Sequence, residues 1–220
     1  PTYGSINIHP SLLPKFRGSA PIQHAILNGE KQTGITIFKL NKQIDSGNII
    51  IKEPYLIDNK DTFSDLYVKL SKLGSELLIK AINLIDSGDV QYKPQISDIK
   101  NDKDNSITYA KKIKTEDCLI DWNLPANKIN DKIRAFSKIP GAFTFLNGKK
   151  IKIFSSNIYK EYPGKLEYSS GLSFNSILLI GTKDWPIQIN LLQFEGKKIV
   201  SGKDFTNSSF FFKNKIIRFG

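Results

Sequence analysis

The chain reads as an α/β domain followed by a small domain of short strands, and two features carry that reading. β-Branched and aromatic runs alternate with helical patterns through the first part, and beyond a polar, aperiodic stretch near residues 91–112 the pattern changes to closely spaced strands. With 220 residues, two cores of ordinary size are within reach. The expected division is a first domain over 1–90, a linker over 91–112 and a second domain over 113–220.

The elements follow in order. In Ser5-Ile6-Asn7-Ile8-His9 a strand's two-residue period sets Ile6 and Ile8 on one face and Ser5, Asn7 and His9 on the other. Pro10 and Pro14 stop that strand, because proline donates no hydrogen bond and restrains its predecessor. A loop to Ser19 follows, with Ser19 as the expected N-cap of a helix over Ala20–Leu27 that ends at Asn28-Gly29. "TGITIFKL" and "NIIIKEPYLI" read as strands joined by a turn that carries Asp45. From Phe63, apolar residues recur at helical spacing (Leu66, Leu70, Leu73, Leu77, Leu78, Ile82, Ile85) until Ser87-Gly88, with Thr62 and Asp65 as a capping pair. Beyond the linker, "LPANKINDKIRAF" is helical. "AFTFL" and "KIKIF" around Asn147-Gly148 form a hairpin, and "SILLIG" and "IQINLLQF" are further strands. "SGKDFTNSSFF" reads as a closing helical turn, and the whole as a small barrel or sandwich.

Composition narrows the class. The net charge of +11 is uneven, +3 over residues 1–112 and +8 over 113–220, as a second domain facing a polyanion requires. Cys118 is the only cysteine, so an internal disulfide is excluded; His9 and His24 lie on different elements with no acidic pair joining them, so no metal is expected. There is no run of eighteen apolar residues and no signal-peptide pattern, so a soluble intracellular protein without a membrane partner is expected. The chain starts with Pro and lacks Met, so its natural start is expected upstream.

Asn7, His9 and Asp45 are the residues with chemistry to offer. An amide N–H donor stabilises a developing oxyanion, and a histidine takes or gives a proton near neutrality. A carboxylate at the second ring nitrogen would fix the tautomer and raise the pKa. Such a set suits acyl transfer to an amine without a covalent nucleophile. No Gly-x-Ser-x-Gly elbow is present, and Ser11 lies in the wrong kind of turn for a serine hydrolase.

Taken in order, "INIHPSLLPKFRGSAPI", "TGITIFKL" and "IDSGNII" resemble the folate-dependent formyltransferase family. The resemblance implies a doubly wound, Rossmann-like first domain, here its C-terminal part, whose first strands lie upstream. It also implies transfer of a formyl group from 10-formyltetrahydrofolate, with no metal. Asn7 and His9 would stabilise the oxyanion, and Asp45 would hold His9 and help take the amine's proton through water. Ser11, Leu12, Leu13 and Pro14 match the folate-contacting loop. "RGSAPIQHAILNGE", "YAKKIKTEDCLIDWN" and "IRAFSKIPGAFTFLNGKKIKIF" resemble members that act on initiator methionyl-tRNA, cytoplasmic in bacteria and organellar in eukaryotes, monomeric at full length, with an OB-like C-terminal barrel. Lys128, Lys132, Arg134, Lys149, Lys150 and Lys152 are then the expected tRNA contacts, since cations on phosphates supply affinity a methionyl group alone does not. An amino-sugar nucleotide as acceptor, or an inactive folate- or RNA-binding fragment, are the alternatives.

Overall fold

A computed structural model describes residues 4–95, 106–208 and 217–220. The chain divides into two units, Pro1–Ile113 and Lys114–Gly220. The middle of the expected linker, 96–105, and the end of the expected closing turn, 209–211, lie outside the described residues.

In the first unit β1 (Ile6–His9) leads through a loop to the two-residue β2 (Arg17–Gly18) and then to α1 (Pro21–Leu27). Ala20, not Ser19, occupies the N-cap, and no side chain caps it; Pro21 opens the helix, where its missing N–H is no loss. β3 (Gln32–Lys39) and β4 (Ile49–Leu56) follow, then α2 (Phe63–Asp86) and the short β5 (Tyr109–Ala110). The main sheet has the order β1-β3-β4. Its central strand is buried from Thr33 to Phe38, which explains why "TGITIF" is almost continuously apolar. α2 begins with the expected capping box and buries Leu66, Leu70, Gly74, Leu77 and Ala81, while Ile82 is exposed.

The parallel winding implied by the family resemblance is not found in this sheet, where both pairings are antiparallel. Residues 40–48 return the chain directly alongside β3, and a parallel neighbour would need a longer crossover. The parallel pair among the described residues is β2–β5.

The second unit holds α3 (Ala126–Phe136), β6 (Ala142–Leu146), β7 (Lys149–Ile158), β8 (Ser170–Phe174), β9 (Ile177–Ile180), β10 (Ile187–Phe194), β11 (Val200–Ser201), α4 (Gly202–Thr206) and β12 (Ile217–Arg218). Its sheet runs β12-β8-β9-β10-β7-β6, all antiparallel, with β11 on β10. No closed barrel is found among the described residues. The end strands meet through one bridge, Leu146 to Phe219, and a hydrogen bond from Gly220 N–H to the Phe145 carbonyl at 2.9 Å. Full closure needs a continuous ladder there, and the two residues of β12 are too few to supply one. Asn147 and Gly148 both take positive φ, as the tight β6–β7 turn requires.

α3 starts at a proline N-cap that offers no side-chain oxygen, so Asp184 accepts the Ala126 N–H at 2.7 Å instead. Burial alone would raise the Asp184 carboxyl; the N–H groups of Ala126 and Trp185 outweigh it and hold the carboxyl below its usual range.

Candidate active site

The site is built at the end of β1, where the chain turns. His9 is the buried member of its strand at 3 % exposure, whereas Ile8 is 37 % exposed, so the polar face of β1 points inward at this end. Its ring stands edge-on to Phe38, 6.4 Å between centroids. His9 Nε2 lies 2.8 Å from the Phe16 carbonyl. A carbonyl only accepts, so Nε2 carries the hydrogen and the neutral ring keeps a bare Nδ1. That Nδ1 faces Asp45 Oδ2 at 3.7 Å, beyond hydrogen-bond length.

The expectation for the tautomer is therefore corrected. The Phe16 carbonyl fixes it, not the carboxylate. Burial pushes the His9 pKa below its ordinary value, and the Phe16 bond and the Asp45 charge, which both raise it, do not reverse the shift. The imidazole is neutral at neutral pH, with its lone pair in the site.

Asp45 belongs to the turn between β3 and β4 and takes a left-handed φ of 46°. Its carboxylate accepts the Gly18 N–H at 2.8 Å and its side chain is 14 % exposed. Two residues on, a Cβ at Gly47 would collide with the Lys39 carbonyl oxygen, which is the physical content of the Asp-x-Gly pattern. Asn7 lies two residues before His9, on the same face of β1, and is half-buried.

The loop after His9 is held from beneath by Thr36, which pairs with His9 across β1–β3. Thr36 Oγ1 accepts the Leu13 N–H at 3.2 Å and donates to the Ser11 carbonyl at 2.7 Å. Ser11 Oγ donates to the Lys15 carbonyl at 2.6 Å, and Lys52 Nζ reaches the Leu13 carbonyl at 3.3 Å. Of the four expected folate-contacting residues, Ser11, Leu13 and Pro14 are thus buried in the fold, and Leu12 is half-buried.

In the second unit Lys149, Lys150 and Lys152 lie together on β7, as expected, with Lys149 exposed. Lys150 Nζ sits 3.9 Å over the Phe143 ring, and Lys152 Nζ donates to the Pro140 carbonyl at 2.8 Å. A depression of about 720 Å³ opens beside Lys149 and Lys150, lined by Phe145, Phe194 and Lys197 among others. Lys128 is exposed on α3. Lys132 and Arg134 are engaged within the fold: Lys132 Nζ donates to the Leu119 carbonyl at 2.7 Å and burial lowers its pKa, while Arg134 pairs with Asp131 at 2.7 Å.

The family described as formyl transferase matches residues 1–82, and the formyl transferase C-terminal domain matches residues 112–209. The chain belongs to the formyl transferase family. A methionyl-tRNA formyltransferase of Fusobacterium nucleatum is 39 % identical over 216 residues, covering 96 % of this chain and 66 % of that protein. The chain spans 61–66 % of the length of the curated relatives it matches. Among solved structures, the N-formyltransferase of Helicobacter canadensis in complex with folinic acid and dTDP-3-aminofucose is 26 % identical (TM-score 0.65), with 84 % of this chain and 65 % of that one covered. HypX of Aquifex aeolicus in complex with tetrahydrofolic acid shares the fold at 20 % identity (TM-score 0.71), over 95 % of this chain and 35 % of that one.

Sequence reasoning missed five groups that hold the site: the Phe16 carbonyl, the Gly18 N–H, Thr36, Arg17 and Gln95. Thr36 carried a signal, as a hydroxyl inside a buried run, one it shares with Thr33. Gln95, in a polar stretch, carried none. Among the described residues no group of His, Cys, Asp and Glu gathers as a metal site, and no helix is long and apolar enough to cross a membrane.

Proposed function

We propose that the protein transfers a formyl group from 10-formyltetrahydrofolate to the amino group of initiator methionyl-tRNA. The observation that carries the reading is His9 facing Asp45 at 3.7 Å at the end of the strand that also holds Asn7, in a chain 39 % identical to a methionyl-tRNA formyltransferase. Support for a folate donor comes from the loop after His9, held inward with Leu12 its half-buried residue, and from Asn7 as an amide donor on the strand that leads into it.

The folate supplies the formyl carbon as an N-formyl amide. Asn7 donates an N–H to the oxygen as the amine nitrogen bonds to that carbon. The amine must shed one proton as it does so. His9 Nδ1 and the Asp45 carboxylate are the two acceptors that face it, and the neutral ring with Nε2 already engaged makes His9 an acceptor rather than an oxyanion donor. The C–N bond to the folate then breaks, its nitrogen takes a proton, and formyl-methionyl-tRNA and tetrahydrofolate leave. The second unit, read as an OB-like module, carries Lys128, Lys149, Lys150 and Lys152 to phosphates; its almost meeting end strands and its basic β7 support this. A cytoplasmic, monomeric enzyme accompanies the reading.

A second acceptor, an amino-sugar nucleotide, is favoured by the 26 % likeness to a protein bound to dTDP-3-aminofucose. The test offers both acceptors side by side to the full-length natural protein with 10-formyltetrahydrofolate, alongside Asp45→Asn and His9→Ala. Methionyl-tRNA is expected to be formylated, and each variant to lose about 10²–10⁴-fold in kcat with its fold intact. Formylation of the sugar alone overturns the tRNA reading; no product from either acceptor leaves a folate- or RNA-binding protein.

A further inference from the structure

We infer that Gln95, braced by Arg17, is a positioning residue that holds Asp45 opposite His9. The inference rests on the active-site reading above and deepens it. Gln95 lies fifty residues from Asp45, in what the sequence presents as linker, yet it is 7 % exposed. Its Nε2 donates to the Asp45 carbonyl at 2.8 Å and to the Gly47 carbonyl at 2.9 Å. Its Oε1 accepts from Arg17 Nε at 3.1 Å and Nη2 at 2.7 Å. Four bonds through one amide fix its orientation from both sides, because guanidinium only donates and carbonyls only accept.

Arg17 is itself 6 % exposed, and among the described residues no ion pair takes up its charge. Its neighbours complete the device. Phe16 accepts from His9 Nε2, and Gly18 donates to the Asp45 carboxylate. One tripeptide therefore touches both catalytic candidates, and its middle residue secures the amide that pins the backbone of Asp45. The tripeptide is anchored in turn by Thr108, through the Phe16 N–H to its hydroxyl at 2.8 Å and the Arg17 N–H to its carbonyl at 2.9 Å. A Cβ at Gly18 would strike the Ala110 carbonyl oxygen, so the approach tolerates glycine alone.

The bond pattern dictates which side chains could substitute. Glutamate would hold Arg17 more tightly and donate to neither carbonyl; methionine would fill the space and do neither; asparagine is one methylene short. With the two donations removed, Asp45 keeps, among the described residues, the Gly18 N–H as its hydrogen bond, and a displacement near 1 Å in a reacting group lowers turnover by about 10²-fold.

The experiment compares Gln95→Met, Gln95→Glu and Asp45→Asn in the full-length natural protein, by formyl-transfer kinetics and by NMR titration of the His9 ring. Both Gln95 variants are expected to lose about 10–100-fold in kcat, with KM for 10-formyltetrahydrofolate within about twofold. Gln95→Met, which leaves the local charge unchanged, should show a His9 pKa below that of the wild type, because the raising effect of the Asp45 charge weakens with distance. A purely structural role would leave that titration unmoved. If Gln95→Met does not fold, Gln95→Glu decides alone, since it keeps Arg17 satisfied. Wild-type kcat in Gln95→Glu overturns the inference, because satisfying Arg17 would then be enough. Loss of activity in Asp45→Asn together with full activity in both Gln95 variants overturns it while sparing the active-site reading; full activity in Asp45→Asn removes the reading itself.

Discussion

Replacing Thr36 by valine keeps the shape of a fully buried side chain and deletes one donor and one acceptor. The Leu13 N–H and the Ser11 carbonyl, now bonded to it at 3.2 and 2.7 Å, lose their partner at that position. A stranded buried polar group costs about 1–3 kcal/mol. The longer of the two bonds belongs at the low end, so the pair comes to about 3 kcal/mol. For a domain whose total stability is about 5–15 kcal/mol, the urea midpoint should fall by roughly 1–3 M at ordinary denaturant slopes. Thr36→Ser is the control: it keeps the hydroxyl, loses one methyl and costs about 1 kcal/mol. Both tryptophans, Trp122 and Trp185, lie in the second unit, so their fluorescence reports on that unit. Hydrogen exchange of the Leu13 amide and far-ultraviolet circular dichroism follow the first. Valine as stable as serine would show that the hydroxyl supports nothing, and the account of how the Ser11–Pro14 loop is held would be wrong.

Acid should weaken the first unit in a way that depends on His9. Burial keeps its folded pKa below the ordinary 6.5, so between those two values the unfolded chain binds the extra proton. Stability therefore falls as pH drops from 6.5 towards the native pKa, and His9 adds no slope above that window. Melting temperatures of wild type minus His9→Gln across pH should show that slope; a flat difference contradicts it. On the second unit, neutralising Lys149 and Lys150 together should reduce the slope of log Kd for tRNA against log salt by about 2. Lys132→Ala should leave the slope unchanged, because its ammonium is desolvated by burial as well as bonded to the Leu119 carbonyl. An equal loss from Lys132→Ala would place that residue on the phosphates after all.

What could be read from the sequence was what neighbouring residues decide. α2 announced both ends, through Thr62 with Asp65 at one and Ser87-Gly88 at the other, and the Asn147-Gly148 turn announced its hairpin. Asp45 could be placed in a turn and His9 at a strand end from proline, glycine and alternation alone. The gap between them could not, because it depends on which carbonyl claims the other ring nitrogen. Gln95 was invisible for the same reason: its four partners come from residues 17, 45 and 47, and nothing local marks a polar residue as buried. β8 was missed because Ser170-Gly171 has weak strand preference and is held by its neighbour β9.

The 3.7 Å between His9 Nδ1 and Asp45 Oδ2 brings two acceptor atoms near each other. Neither atom brings a hydrogen of its own, so each repels the other until something arrives that does. On the proposed reading the gap would favour N–H and O–H groups over any guest that only accepts. On the proposed reaction an incoming amine would satisfy both oxygen and nitrogen at once, and the proton it must surrender would meet two basic atoms.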